Sequence, residues 1–343
     1  MTPPGRATEL ARLRRSDCSS PGITRRRAGK GFYYLDGEGR RIEDRDVIDR
    51  IKGLVIPPAW KDVWICPLDQ GHIQATGIDD AGRKQYLYHE RWSETRSARK
   101  FETMLDFARA LPRLRRAVAR DIDPDRASRE SVLACGIRLI ELGHFRIGSE
   151  RYAAENETFG AATVTRDHVK LGPGTEEVSF EYVGKGSLER SVTIRDPGVR
   201  GVSELLLRRR SGPDDFLAFK DGRRWRDVAS EDINGYIQEH AGERFSAKDF
   251  RTWNGTVMAA MALAEGEPPS TARKRDQRIR RAVELVAEEL GNTPAVARDS
   301  YISPRLLDLY RNGQKIESKS SSAPRWASRG LSAVEGRVLE LLD

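Results

Sequence analysis

The rhythm of apolar and polar positions changes twice along this chain. Short β-prone runs at 32–35, 63–66, 72–76 and 85–88 are separated by Gly, Pro and Asp, which predicts a small sheet-rich domain. After Arg91 the apolar positions recur at three and four over 101–118 and 128–142, the spacing of helices that bury one face. Alternation returns within 161–195, interrupted at Gly172-Pro173-Gly174 and Gly184-Lys185-Gly186, so an antiparallel insert of three or four strands is expected, with Lys185 on a turn. Helical spacing resumes over 199–209, 230–240, 246–265 and 270–290, the last closed by Gly291 at a C-cap position. Thr293-Pro294 and Ser303-Pro304 each read as a cap residue followed by proline in a first helical turn, which places Tyr301 near the junction of two short helices.

The pattern defines an α+β chain: a basic flexible arm over 1–28, a β-rich domain over 29–92, a mainly helical domain over 93–313, and a tail over 314–343. In that tail a Ser- and Lys-rich linker precedes a short helix at 331–342. No internal repeat is evident.

Composition adds a partner class. Lys and Arg total 60 against 52 Asp and Glu, a net charge of +8 with a pI near 9.5, which favours a polyanion, nucleic acid first; a salt-bridged surface gives the same balance. Cys18, Cys66 and Cys135 are widely spaced and form no C-x-x-C pair, which fits a reducing cytoplasm. No apolar stretch approaches the length of a membrane span. Gly184-Lys185 is not a phosphate loop, because the glycine required five residues before the pair is Ser179. Asp121-Ile122-Asp123-Pro124-Asp125 fails as a calcium loop, since Arg126 and Val132 occupy its glycine and twelfth positions. The five histidines show no paired metal-ligand spacing, so chemistry without metal or cofactor is expected.

Several segments together resemble one family. His144-Phe145-Arg146-Ile147-Gly148, Arg151-Tyr152 and Glu155-Asn156-Glu157-Thr158-Phe159-Gly160 resemble the signature of type IB DNA topoisomerases of the small viral and bacterial branch. Tyr182-Val183-Gly184-Lys185, Lys248-Asp249-Phe250-Arg251-Thr252-Trp253, Gly291-Asn292-Thr293-Pro294 and Ser300-Tyr301-Ile302 resemble the remaining active-site segments, in the same order. Upstream, Ile56-Pro57-Pro58-Ala59-Trp60 and the run from Thr76-Gly77 to Tyr88 resemble the family's DNA-clamping domain, so the likeness extends over roughly residues 30–312.

The resemblance implies a tyrosine-recombinase-like catalytic domain and these roles. Tyr301 is the nucleophile, Arg146 and Arg251 hold the phosphate, Lys185 protonates the leaving 5′ oxygen, and Asn292 donates to a nonbridging oxygen. Lys248 supports Arg251, while Lys84, Gln85, Tyr86 and Tyr88 contact DNA. Arginine suits phosphate because its planar fork bonds two oxygens and stays charged. Viral relatives carry histidine where this chain has Asn292, so no activity step between pH 5 and 8 is expected from that position. The implied protein is a monomer, cytoplasmic and nucleoid-associated, that clamps duplex DNA and works without ATP or metal. The cluster Arg273-Lys274-Arg275 with Arg278, Arg280 and Arg281 reads as a solvated helix face or as phosphate contacts. A site-specific tyrosine recombinase and a non-catalytic DNA-binding protein on the same scaffold are the alternative readings.

Overall fold

The computed structural model describes residues 13–29, 31–174, 176–317 and 330–343, without the side chains of residues 151, 152 and 156. The chain divides into two compact units, Met1–Lys100 and Phe101–Asp343.

In the first unit, β1 (Ile23–Ala28), β2 (Gly31–Leu35), α1 (Arg45–Gly53), β3 (Lys61–Ile65), β4 (Ile73–Ile78) and β5 (Lys84–Tyr88) build a five-stranded sheet of order β2-β1-β3-β4-β5 with one helix. Its small core is Ile23, Ile51, Val63, Ile65 and Ala75. Two elements depart from expectation. Residues 23–28, read as part of a flexible arm, pair with β2 and β3. Arg25 explains this: its guanidinium donates to the carbonyls of Ile56, Pro57 and Trp60 and lies 4.2 Å over the Phe32 ring, so a charged residue works as a strand anchor. Residues 1–12 of that arm lie outside the described residues. Helix α1, which the sequence reading missed, starts at Asp44, whose carboxylate accepts from the amides of Asp46 and Val47.

The long helix α2 (Glu90–Asp121) contains both the boundary at 92 expected from the sequence and the point after Lys100 at which the two units divide. There follow α3 (Arg129–Leu142), α4 (Glu150–Asn156), β6 (Val169–Leu171), β7 (Glu177–Gly184), β8 (Leu188–Arg195), α5 (Pro197–Leu207), β9 (Ala218–Asp221), β10 (Arg224–Asp227) and α6 (Ser230–Ala241). The chain ends with α7 (Ala247–Ala264), α8 (Ala272–Leu290), α9 (Pro294–Tyr301), α10 (Pro304–Arg311) and α11 (Ala333–Leu342). The insert is a three-stranded antiparallel sheet, β6-β7-β8, and β9-β10 form a separate hairpin that the sequence reading did not contain. Among the described residues no helix is long and apolar enough to cross a membrane.

The tail helix is part of the core. Val338 and Leu342 of α11 are buried in the main apolar cluster, and Glu335 is wholly buried. The Glu335 carboxylate accepts 2.9 and 2.8 Å bonds from both Nη atoms of Arg115 and a 3.0 Å bond from Trp253 Nε1. Arg115 Nε donates to Glu141, which also accepts from Arg138, so two buried cations meet two buried carboxylates. Burial would raise the Glu335 carboxyl, but the Arg115 hydrogen bonds and charge outweigh it and hold its pKa below the usual range. Removing one partner strands a buried charge, which is costly even where the intact pair adds little. Glu335→Ala should therefore lower the unfolding free energy by about 3 kcal/mol. Urea unfolding followed by tryptophan fluorescence checks this, and an unchanged midpoint would contradict it.

Candidate active site

Five segments of the second unit converge on one open cleft of about 410 Å³, lined by Arg146, Lys185, Lys248, Arg251 and Tyr301 together with Ile147, Gly148, Ser149, Thr158, Phe159 and Ala247. Four of these side chains are cations and none is a carboxylate, so the cleft concentrates positive potential around a phenol.

Arg146 lies just past α3. The neighbouring Phe145 is buried, its ring stacked on Tyr182 at 4.9 Å and edge-on to Phe180 at 5.2 Å. The carbonyls of Arg146 and Ile147 accept 2.8 Å bonds from the amides of Ala161 and Ala162, and the Phe159 amide donates to Val183 of β7. The segment around 155–160 thus ties the Arg146 backbone to the strand that leads to Lys185. Lys185 begins the loop between β7 and β8 and is exposed, as is Lys248 in the first turn of α7. Lys248 and Arg251 are three residues apart and share a helix face.

Arg251 is buried, at 5% exposure. Its Nη1 donates to the His144 carbonyl at 2.9 Å and its Nη2 to the Leu290 carbonyl at 2.6 Å. Burial, then the charge of Arg146, pushes its pKa down to about 10, which still leaves it charged at neutral pH. The guanidinium carbon sits 5.0 Å from the centre of the Tyr301 ring. Tyr301 closes α9, and helix α7 receives it closely: a Cβ at Gly255 would lie 2.6 Å from the Tyr301 carbonyl oxygen, and Thr256 Oγ1 donates to that oxygen at 3.3 Å. Only a residue without a side chain fits at 255. Burial raises the Tyr301 pKa, but the charges and hydrogen bonds of Arg251 and Arg146 outweigh it, and the phenol ends below its ordinary value.

Asn292 stands behind Arg146 and does not line this cleft. Gly291, at φ 60°, ends α8 in the left-handed region, and the Asn292 amide bonds back to the Ala287 carbonyl. Asn292 Oδ1 accepts from Arg146 Nη2 at 2.6 Å while its Nδ2 donates to the Leu290 carbonyl at 3.2 Å. One of its two Nδ2 hydrogens therefore serves a helix carbonyl, which leaves the other for the phosphate oxygen that the sequence reading expected it to face. The α8 terminus is a hub: Arg190 donates to the Glu288 and Glu289 carbonyls, Arg251 to Leu290 and Arg146 to Gly291. These are orphan acceptors at the negative end of a helix, and arginine suits them twice, by hydrogen bonding and by charge. Sequence reasoning passed over Arg190 entirely.

In the first unit, Lys84, Tyr86 and Tyr88 are exposed on one face of the edge strand β5. Tyr86 and Tyr88 stack at 6.2 Å, and Lys84 Nζ lies 5.8 Å over the Tyr86 ring. Gln85 does not join them; its Nε2 donates to Asp79. Within the basic cluster of α8, Arg275 and Arg278 are spent on backbone carbonyls of 265–270, whereas Arg273, Lys274, Arg280 and Arg281 are exposed. Among the described residues no group of three His, Cys, Asp or Glu side chains is placed to hold a metal ion.

Fold and site together define a protein with a cationic cleft built round a tyrosine, on a mainly helical unit with an antiparallel insert. Comparison with known proteins makes the class specific. Residues 89–323 match the model for the catalytic core of eukaryotic DNA topoisomerase I, and residues 31–79 match that for the N-terminal domain of bacterial DNA topoisomerase IB. DNA topoisomerase 1B of Acanthamoeba polyphaga mimivirus is 31% identical over 93% of this chain and 96% of its own length. DNA topoisomerase 1B of vaccinia virus, strain Copenhagen, is 22% identical over 72% of this chain and 75% of its own. The chain belongs to the type IB DNA topoisomerase family.

One pH effect follows from the site. Burial, then the charges of Arg251 and Arg190, pushes the His144 imidazole down to about 4, and Asn254 Nδ2 bonds its Nδ1. Between about pH 6.5 and 4 the unfolded chain takes up a proton that the native state refuses. This contribution is fully present above about pH 6.5 and is lost as the pH falls toward 4, by at most about 3 kcal/mol. His144 has φ 54°, which asparagine tolerates, so His144→Asn should flatten the stability profile over that window in denaturant titrations. An equally steep profile in the variant would remove His144 as its source.

Proposed function

We propose that this enzyme relaxes supercoiled duplex DNA by cutting and rejoining one strand through a covalent bond to Tyr301, without ATP or metal. The observation that carries the reading is the cleft itself: a buried phenol beside two arginines and two lysines, with no carboxylate among its lining residues. An ordinary tyrosine has a pKa of about 10 and is about one part in a thousand phenolate at neutral pH, so the cations that lower it favour attack.

In the proposed cycle the Tyr301 oxygen, having lost its proton to solvent, bonds to phosphorus and the bond to the 5′ oxygen breaks. Lys185 gives its proton to that oxygen, leaving a 5′-hydroxyl and a 3′-phosphotyrosyl strand. Arg146 and Arg251 bear the charge that develops on the nonbridging oxygens. Lys248 supports them from the rim, and Asn292 orients Arg146 through the bond from its Nη2. The cut strand rotates, the 5′-hydroxyl attacks the phosphotyrosine, and the original bond is restored with no net energy input. Lys84, Tyr86 and Tyr88 contact the duplex from their shared face of β5.

The test is incubation with negatively supercoiled plasmid in EDTA without ATP, quenched with detergent. Relaxation with a covalent 3′ adduct is expected, lost in Tyr301→Phe, and slowed by about 100-fold or more in Arg251→Ala. Binding without relaxation would sink the enzymatic reading, and relaxation by Tyr301→Phe would remove Tyr301 as nucleophile.

A further inference from the structure

Lys185 is exposed and makes no hydrogen bond or ion pair with another described residue, so its own side chain does not fix its place over the cleft. What fixes it has to act on the β7–β8 hairpin. On the β7 side the hairpin is held by the bond from the Phe159 amide to Val183 and by the Tyr182 ring against Phe145. On the β8 side, next to the exposed Leu188 and Glu189, the anchor is Arg190, which pairs across the ladder with Tyr182 while Leu188 pairs with Gly184.

Arg190 Nη1 donates to the Glu288 carbonyl at 3.0 Å and Nη2 to the Glu289 carbonyl at 2.7 Å. Its charge also acts on the Tyr182 hydroxyl, its partner across the ladder. It packs over the helix end: a Cβ at Gly291 would lie 3.2 Å from Arg190 Nη1. Two adjacent carbonyls match the two prongs of a guanidinium, a fit that a single ammonium lacks. The α8 end that Arg190 grips also holds Arg146 and Arg251 through Gly291 and Leu290.

We infer that Arg190 is a positioning residue for Lys185: it locks the lysine-bearing hairpin onto the helix end that fixes the two cleft arginines. The inference rests on the proposed role of Lys185 as general acid. Arg190 itself touches no reacting atom in this scheme. Its loss leaves the phenol and the phosphate-binding arginines in place and impairs only delivery of the proton to the 5′ oxygen.

That separation has a chemical test. Once a cleavage site is mapped on a short duplex, the same duplex is made with oxygen or with sulfur as the 5′ bridging atom. A thiolate leaves without being protonated, because a thiol has a pKa of about 8.5, far below that of an alcohol. On the oxygen duplex, single-turnover cleavage should slow by about 100-fold or more in Lys185→Ala and by about tenfold or more in Arg190→Ala. On the sulfur duplex both variants should come within about threefold of the unmodified enzyme. Arg190→Lys keeps the charge but loses the two-carbonyl bridge, and it carries the same comparison if the alanine variant does not fold. Wild-type cleavage of the oxygen duplex by Arg190→Ala, or a defect that sulfur corrects for Lys185→Ala alone, overturns the inference. If sulfur corrects neither variant, the general-acid role of Lys185 fails first and the inference falls with it.

Discussion

Cations gathered round one phenol repel one another, and the fold has to oppose that repulsion without neutralising it. A carboxylate in the cleft would relieve the strain and compete with any bound anion for the same donors. The chain uses main-chain oxygen instead. Arg146, Arg190 and Arg251 each donate to the last carbonyls of α8, and Arg251 also to His144, so partial negative charge holds them while full positive charge remains available. The low dielectric that pushes Arg251 down to about 10 is the environment in which its charge acts most strongly on Tyr301.

The other side of the cleft depends on α7, which supplies Lys248 and Arg251 and receives the Tyr301 turn at Gly255 and Thr256. Helix α7 is itself steadied from behind, where Trp253 donates to Glu335 of α11 and Asn254 donates to the Glu141 carbonyl. Glu335 is also the carboxylate of the buried Arg115 pair, and such pairs contribute little net stability but are costly to break. The terminal helix is therefore structural support for α7, although it lies far from it in sequence.

Much of this was legible in the sequence. Thr293 and Ser303 are the caps of α9 and α10, Gly291 is the left-handed stop of α8, and the helices after residue 197 fall within a few residues of their expected bounds, because caps and apolar periodicity are local signals. Strand β1 was hidden because three consecutive arginines mask its alternation, and Arg25 becomes a strand residue only through carbonyls some thirty positions away. The hairpin β9–β10 is too short to leave a periodic signature, whereas helix α1 carries both an amphipathic pattern and a capping Asp44 that the reading passed over among the surrounding strand signals. At the site, the ordered motifs pointed to Arg146, Lys185, Lys248, Arg251 and Tyr301, which do meet in one cleft. The motifs did not indicate that the Asn292 donor turns to Leu290, nor did they mark Arg190, since a motif names side chains and not the carbonyls they grip.

Anchoring on main-chain oxygen also bears on how this sequence can drift. A carbonyl is the same whatever side chain its residue carries, so substitutions at 288 and 289 leave the grip of Arg190 intact while the helix persists. A proline that broke the last turn, or an insertion that shifted its phase, would release three arginines in one event. The site is thus tolerant of spelling and intolerant of length, and descendants of this chain can diversify the surface of α8 freely while its end stays in register.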